Sequence, residues 1–235
     1  MADDFAIELT DVRFHWPGQS RPVLAIDALQ VAAGECLLLR GASGSGKTTL
    51  LNLLAGVTTA QQGRVLVLTT DLGRLRSSQR DAFRAAHLGI IFQMFNLIPY
   101  LSLVDNVLLP CRFSRQRRAK AVQRHGDLPN AARRLLSGLG LPLDDIGDRS
   151  TTELSVGQQQ RVAAARALLG SPELIIADEP TSALDTETQE SFLQLLFQEV
   201  RAIGATLICV SHDPALQPLF DRTVEITTIN HSVSS

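Results

Sequence analysis

Gly41-Ala-Ser-Gly-Ser-Gly46-Lys47-Thr48 lies between an apolar run at 35–40 (ECLLLR) and a helix-forming stretch at 48–55 (TTLLNLLA). It reads G-x-x-x-x-G-K-[ST] and opens a helix directly after a strand. Glycines reach backbone angles closed to other residues, so successive N–H groups can turn inward around a phosphate. The start of the helix adds partial positive charge at the same point. Lys47 is long enough to reach β- and γ-phosphate oxygens, and the Thr48 hydroxyl suits Mg²⁺. A Gly-rich turn without a ligand is the plain alternative, and the strand–loop–helix setting weighs against it. The chain is expected to bind a nucleoside triphosphate.

Around this loop, strands and helices alternate as in an α/β fold with a mostly parallel sheet. Residues 5–14, 64–68, 88–92, 174–177 and 206–210 are further runs of strand length. Residues 186–202 have amphipathic helical spacing, with Gly204 as the stop. The stretch from about 96 to 150 lacks strand-like runs. Its Pro99, Pro110, Pro129 and Pro142 are expected to divide it into short helices, forming an insertion in the α/β core. The arginines and lysine at 112, 115, 117, 118, 120 and 124 form a basic segment there, read first as a solvated helix face and second as a contact for lipid or a partner.

Composition narrows the function classes. With 45% hydrophobic and 20% charged residues, the chain has enough apolar material for a sizeable core. Its net charge of −2 encodes no general attraction to nucleic acid. Cys36, Cys111 and Cys209 are too far apart for a CxxC site and are read as reduced thiols. No apolar run reaches the roughly 18 residues needed to cross a bilayer, and Met1-Ala-Asp-Asp is acidic where a signal peptide is basic. A cytoplasmic location is expected, with any membrane role exercised through a partner.

Leu174-Ile-Ile-Ala-Asp178-Glu179-Pro180 is a buried-type strand ending in two carboxylates. Charge is costly beside so apolar a strand unless a cation is near. Asp178 fits a carboxylate holding Mg²⁺, usually through water, and Glu179 a residue that orients or deprotonates an attacking water. Before it lies Leu154-Ser155-Val156-Gly157-Gln158-Gln159-Gln160-Arg161, entering a helix at 162–169. Ser155 is a natural N-cap, and the N–H groups behind it form a second anion site.

This last run resembles the signature sequence of ATP-binding-cassette (ABC) ATPases, and the other cassette motifs fall in order around it. Gln93 in Ile91-Phe-Gln93-Met matches the Q-loop glutamine, Ser182-Ala-Leu-Asp185 the D-loop, and His212 in Val210-Ser-His212-Asp213 the switch histidine. Trp16 stands where the family places an adenine-stacking aromatic. The resemblance covers essentially the whole chain. It implies a P-loop NTPase (RecA-like) α/β core with an antiparallel β subdomain and an inserted α-helical subdomain. Residues 1–235 would then be one domain, with 1–93 and 151–235 as the core and 94–150 as the helical part.

The resemblance also implies a head-to-tail homodimer enclosing two ATP. Trp16, Gly41, Ala42, Ser43, Gly44, Ser45, Gly46, Lys47, Thr48 and Thr49 of one subunit would hold the nucleotide against Ser155, Gly157 and Gln158 of the other. Glu179 would act on the water, Lys47 and His212 on the γ-phosphate, and Thr48 and Gln93 on Mg²⁺ with Asp178 behind. Residues 94–110 would receive the coupling helix of a permease, placing the subunit at the inner face of the cell membrane.

Arg80-Asp-Ala-Phe, the run 88–99 and Val104-Asp-Asn106-Val-Leu-Leu-Pro110 look most like the branch serving lipoprotein release, macrolide export and bacterial cell division. An amino-acid-type importer ATPase and a soluble cassette ATPase remain alternatives. Three features depart from the family pattern, the first being Trp16 where tyrosine is common. Val156 stands at a position where glycine is commonest. An expected strand at 223–229 runs through Thr227-Thr-Ile-Asn where many relatives have an Asp-Gly turn. His15, His87, His125 and His231 have no metal-like spacing.

Overall fold

The computed structural model describes residues 5–143 and 150–234. Residues 1–4, whose acidity argued against a signal peptide, and 144–149, at the end of the expected insertion, lie outside the described residues. The chain divides into two compact units, one built from the two ends of the chain and the other from residues 85–205.

The first unit holds an antiparallel sheet of β1 (Phe5–Phe14), β2 (Leu24–Ala32), β4 (Gln62–Val67) and β5 (Thr70–Asp71), in the order β2-β1-β4-β5. It also holds β3 (Cys36–Arg40), which pairs in parallel with both β8 (Thr206–Val210) and β9 (Arg222–Glu225). Cys36, Leu37, Leu38 and Leu39 are all at most 1% exposed. Both faces of β3 are covered, which is why its sequence is an unbroken apolar run with no alternation. Helix α1 (Lys47–Leu54) follows it, and α2 (Ser77–His87) leads out of the unit's first segment.

In the second unit β6 (Leu88–Ile91) pairs in parallel with β7 (Leu174–Asp178). The helices are α3 (Leu103–Phe113), α4 (Arg115–His125), α5 (Leu128–Gly138), α6 (Val156–Leu168) and α7 (Thr186–Ile203). Each begins behind a side chain that accepts an N–H from three residues on: Ser102, Ser114, Asp127, Ser155 and Asp185. These caps satisfy donors that the first turn leaves without a partner, and so fix where each helix starts. Gly204, at φ 67°, ends α7 in the left-handed conformation expected there.

Several expectations are corrected. The run 223–229 is not one strand: β9 ends at Glu225, and α8 (Ile226–Ile229) is a helical turn. Its β-branched residues resemble a strand, but Asn230 N–H donates to Ile226 O at 2.8 Å and closes the turn. Pro110 does not divide its helix, because α3 continues through it to Phe113. The lost backbone bond is offset by the burial of Leu103, Val107 and Cys111 on one face. Helix α6 starts at Val156, behind the N-cap expected at Ser155 but six residues before the expected run 162–169.

The basic segment is not a uniformly solvated face. Arg117 is 2% exposed, Lys120 pairs with Glu173 at 2.6 Å, and Arg124 donates to Ala202 O at 3.0 Å. Arg112, Arg115, Arg118 and Arg124 are exposed, so the expected solvated face holds for four of the six, while Arg117 turns inward and Lys120 is half-buried. The strand β2 and the helix α2 carried no expectation. Among the described residues no helix is long and apolar enough to cross a membrane, and the three cysteines are buried and outside any disulfide.

Candidate nucleotide-binding site

The phosphate loop joins β3 to α1. Gly46, at φ 99°, stands at the head of α1, and no side chain caps that helix. Helix starts of this kind, without a side-chain cap, suit an anion. Ala42, Ser43, Gly44 and Thr48 are exposed, whereas Ser45, Lys47 and Thr49 are buried. Lys47 Nζ donates to Gly41 O at 2.7 Å and to Ala42 O at 2.8 Å, so its ammonium lies along the loop it would share with a phosphate. Ser45 Oγ donates to Ala42 O at 2.7 Å and tightens the same turn. A Cβ on Gly41 would sit 2.5 Å from Ile226 Cγ2, so glycine is needed for the approach of α8.

One residue that holds this loop was not anticipated. Asn230 is fully buried; its Oδ1 accepts from Ala25 N–H at 2.8 Å, and its Nδ2 donates to Val23 O at 3.0 Å and to Ser45 O at 3.1 Å. One amide therefore ties the phosphate loop to the start of β2. In the sequence its only signal is a polar residue closing the run Ile-Thr-Thr-Ile. Trp16 follows β1 in the same unit, half-buried, its ring edge-on to Phe14 with centroids 5.0 Å apart. His212, also in this unit, is exposed just beyond β8.

The remaining residues belong to the second unit. Gln93 is exposed just beyond β6. Asp178 ends β7, and Glu179 has a left-handed backbone at φ 45°. Its carbonyl accepts from Ser182 N–H at 3.3 Å and Ser182 Oγ at 3.1 Å. Such a conformation costs a glutamate about 1–3 kcal/mol and is characteristic of functional positions. Asp185 caps α7, and the Thr188 backbone N–H holds its carboxyl below the usual range.

Ser155 and Gln158 form a reciprocal capping box: Gln158 N–H donates to Ser155 Oγ at 3.3 Å, and Ser155 N–H donates to Gln158 Oε1 at 3.0 Å. The signature side chains thus fix the start of α6, and Val156 is exposed beside them.

Among the described residues no group of three or more His, Cys, Asp or Glu could cage a metal. Thr48 of the first unit carries a hydroxyl, and Gln93 and Asp178 of the second a carboxamide and a carboxylate. Each is a hard oxygen donor of the kind Mg²⁺ takes, an ion that keeps waters and draws other ligands from phosphate.

The ABC transporter family profile matches residues 25–182. The chain is 41% identical over 204 residues to the lipoprotein-releasing system ATP-binding protein LolD of Syntrophotalea carbinolica, covering 87% of this chain and 86% of that one. It is 38% identical over 211 residues to the ABC transporter ATP-binding protein YtrE of Bacillus subtilis, covering 90% and 83%. It also matches the macrolide export ATP-binding/permease protein MacB of Chromobacterium violaceum, at 39% over 226 residues. There it covers 94% of this chain but spans about a third (33%) of the relative's length.

Among solved structures, the dimeric ATP-binding cassette MJ0796 in a post-hydrolysis state with ADP and Pi is similar, with a TM-score of 0.80. Identity to it is 32%, covering 93% of both chains. The family match and these relatives together show that the chain is a member of the ABC transporter family, an ATP-binding and ATP-hydrolysing cassette.

Proposed function

We propose that this cassette hydrolyses ATP as a head-to-tail homodimer and drives a membrane permease of the export or mechanotransmission type. Residues 1–235 act as one domain, with 94–150 as its helical part. The observation that carries the reading is the correspondence with LolD, which runs over nearly the full length of both chains. The segment after Gln93 adds support: Met94 and Tyr100 are 80% and 85% exposed, large apolar side chains at the place expected to receive a permease helix.

In this reading Trp16 stacks on adenine, and residues 41–49 bind the phosphates. Ser155, Gly157 and Gln158 of the second copy face the γ-phosphate. Lys47 and His212 donate to the γ-phosphate oxygens as charge develops there, and Glu179 orients and deprotonates the attacking water. Thr48, Gln93 and Asp178 would hold Mg²⁺, which would spread the negative charge of the phosphates. The subunit would then be cytoplasmic and held at the membrane by its permease, with no nucleic-acid partner.

The test is a co-purification with tagged Glu179→Gln protein and ATP from detergent-solubilised membranes. The variant is expected to retain ATP, remain dimeric and bring down a permease with few helices and a large extracytoplasmic domain. A many-helix permease with a solute-binding protein would instead make this an importer subunit. Soluble partners alone would remove the membrane reading.

A further inference from the structure

Helix α6 carries two guanidinium contacts at its C-terminal end, and both involve backbone close to Gln93. Arg166 donates from Nη1 to Asn96 O at 2.6 Å and from Nη2 to Phe95 O at 2.5 Å. Phe95 and Asn96 adopt consecutive left-handed conformations, with φ of 56° and 50°. Residues with a side chain enter that region at a cost. One planar fork across two successive carbonyls fixes the pair in a way that a single ammonium could not.

The other flank of Gln93 is tied to the same helix end. Buried Arg117 donates from Nε to Leu169 O at 2.7 Å, from Nη2 to Ala167 O at 2.6 Å and from Nη1 to Leu88 O at 3.0 Å. Leu88 begins β6, the strand that leads to Gln93. A Cβ on Gly89 would lie 2.4 Å from Ala167 O, so β6 approaches the helix end as only glycine permits. Gln93 is thus bracketed, at 88 and at 95–96, by backbone fastened to the last turn of α6. The first turn of that helix is the Ser155–Gln158 capping box.

We propose that Arg166 is a positioning residue that holds the strained 95–96 backbone on α6, so that Gln93 and the signature helix move as one body during the ATPase cycle. The proposal rests on the role of Gln93 given above, and its test separates the two. Full-length wild type is compared with Arg166→Lys, Arg166→Gln, Gln93→Ala and the Arg166→Gln/Gln93→Ala double variant. Three quantities are read: amide hydrogen exchange across 92–98, ATP turnover, and ATP affinity from the fluorescence of Trp16, the chain's single tryptophan.

Both Arg166 variants should exchange about tenfold faster at 94–97, since the charge-assisted bonds that hold the segment closed are weakened or lost. Turnover in Arg166→Gln should fall about tenfold while ATP affinity stays within about twofold, as expected for a group acting through a ligand's support. The double variant should be no slower than Gln93→Ala alone, because the two residues act in series.

Unchanged exchange at 94–97 would overturn the clamp itself. Fully additive losses would overturn its action through Gln93, since Arg166 would then be an independent packing residue. Wild-type turnover in Gln93→Ala would overturn the proposal by removing the role of Gln93, with the exchange data still deciding whether the clamp exists. If Arg166→Gln does not fold, Arg166→Lys carries the exchange and turnover tests.

Discussion

Lys47 donates to two carbonyls of its own loop, so binding a phosphate exchanges these charge-assisted bonds for stronger ones to an anion. Lys47→Ala should weaken ATP binding by about 10- to 100-fold, the equivalent of one or two charged hydrogen bonds. A titration followed by Trp16 fluorescence measures this, and an unchanged affinity would contradict the assignment of the loop. Arg117 shows a cation used in the opposite way. It has no carboxylate partner in its first contacts, only carbonyl oxygens, and burial pulls its pKa down to about 10 while leaving it protonated at neutral pH. The sequence showed a basic segment but not which member turned inward. Within α4 the spacing held a hint of it: Arg117 and Ala121 are its buried residues and stand four apart on one face. The spacing was outweighed by the habit of arginine to stay in water, which the carbonyls of Leu88, Arg166, Ala167 and Leu169 together override.

Glu173, just before β7, gathers His87 from the end of α2 at 3.1 Å and Lys120 from α4 at 2.6 Å. Burial raises its pKa, but hydrogen bonds from His87 and Lys120 and the Lys120 charge outweigh this and hold it at about 2, against an ordinary 4.5. Because the folded value lies below the unfolded one, the unfolded chain binds the extra proton between them, and stability rises with pH across that interval. The contribution is complete above about pH 5 and is lost as pH falls from about 4.5 towards 2. The carboxylate is more than a third exposed, so screening leaves a contribution on the order of 1 kcal/mol. Thermal unfolding from pH 6 down to 3 should therefore lose less stability in Glu173→Gln than in wild type, and parallel curves would refute it. At this scale the sequence was most legible for strands covered on both faces, such as β3, β7 and β8, where an apolar run has one reading. It was least legible in α2, which buries none of its residues, and in α8, whose β-branched residues favour a strand until Asn230 closes the turn.

Across the whole molecule, the motifs that carry the chemistry were plain in the sequence because each is a fixed set of residue types at fixed spacing. What supports them was not, because it comes from far along the chain. Strand β3, which feeds the phosphate loop, lies between two strands from 206–225, and Asn230 bonds to Ser45 across 185 positions. Order of synthesis gives this arrangement a consequence in time. At about 5–20 residues per second, roughly ten to forty seconds separate the phosphate loop leaving the ribosome from the arrival of the residue that fastens it. Ribosome-bound chains halted with residues up to 220 outside the exit tunnel should fail to be retained on immobilised ATP, whereas chains halted with residues up to 234 outside should be held. Equal retention would show that the loop forms without its distant support. A nascent chain would otherwise be unable to engage ATP until residues 206–230 have emerged, which keeps incomplete cassettes out of the nucleotide pool.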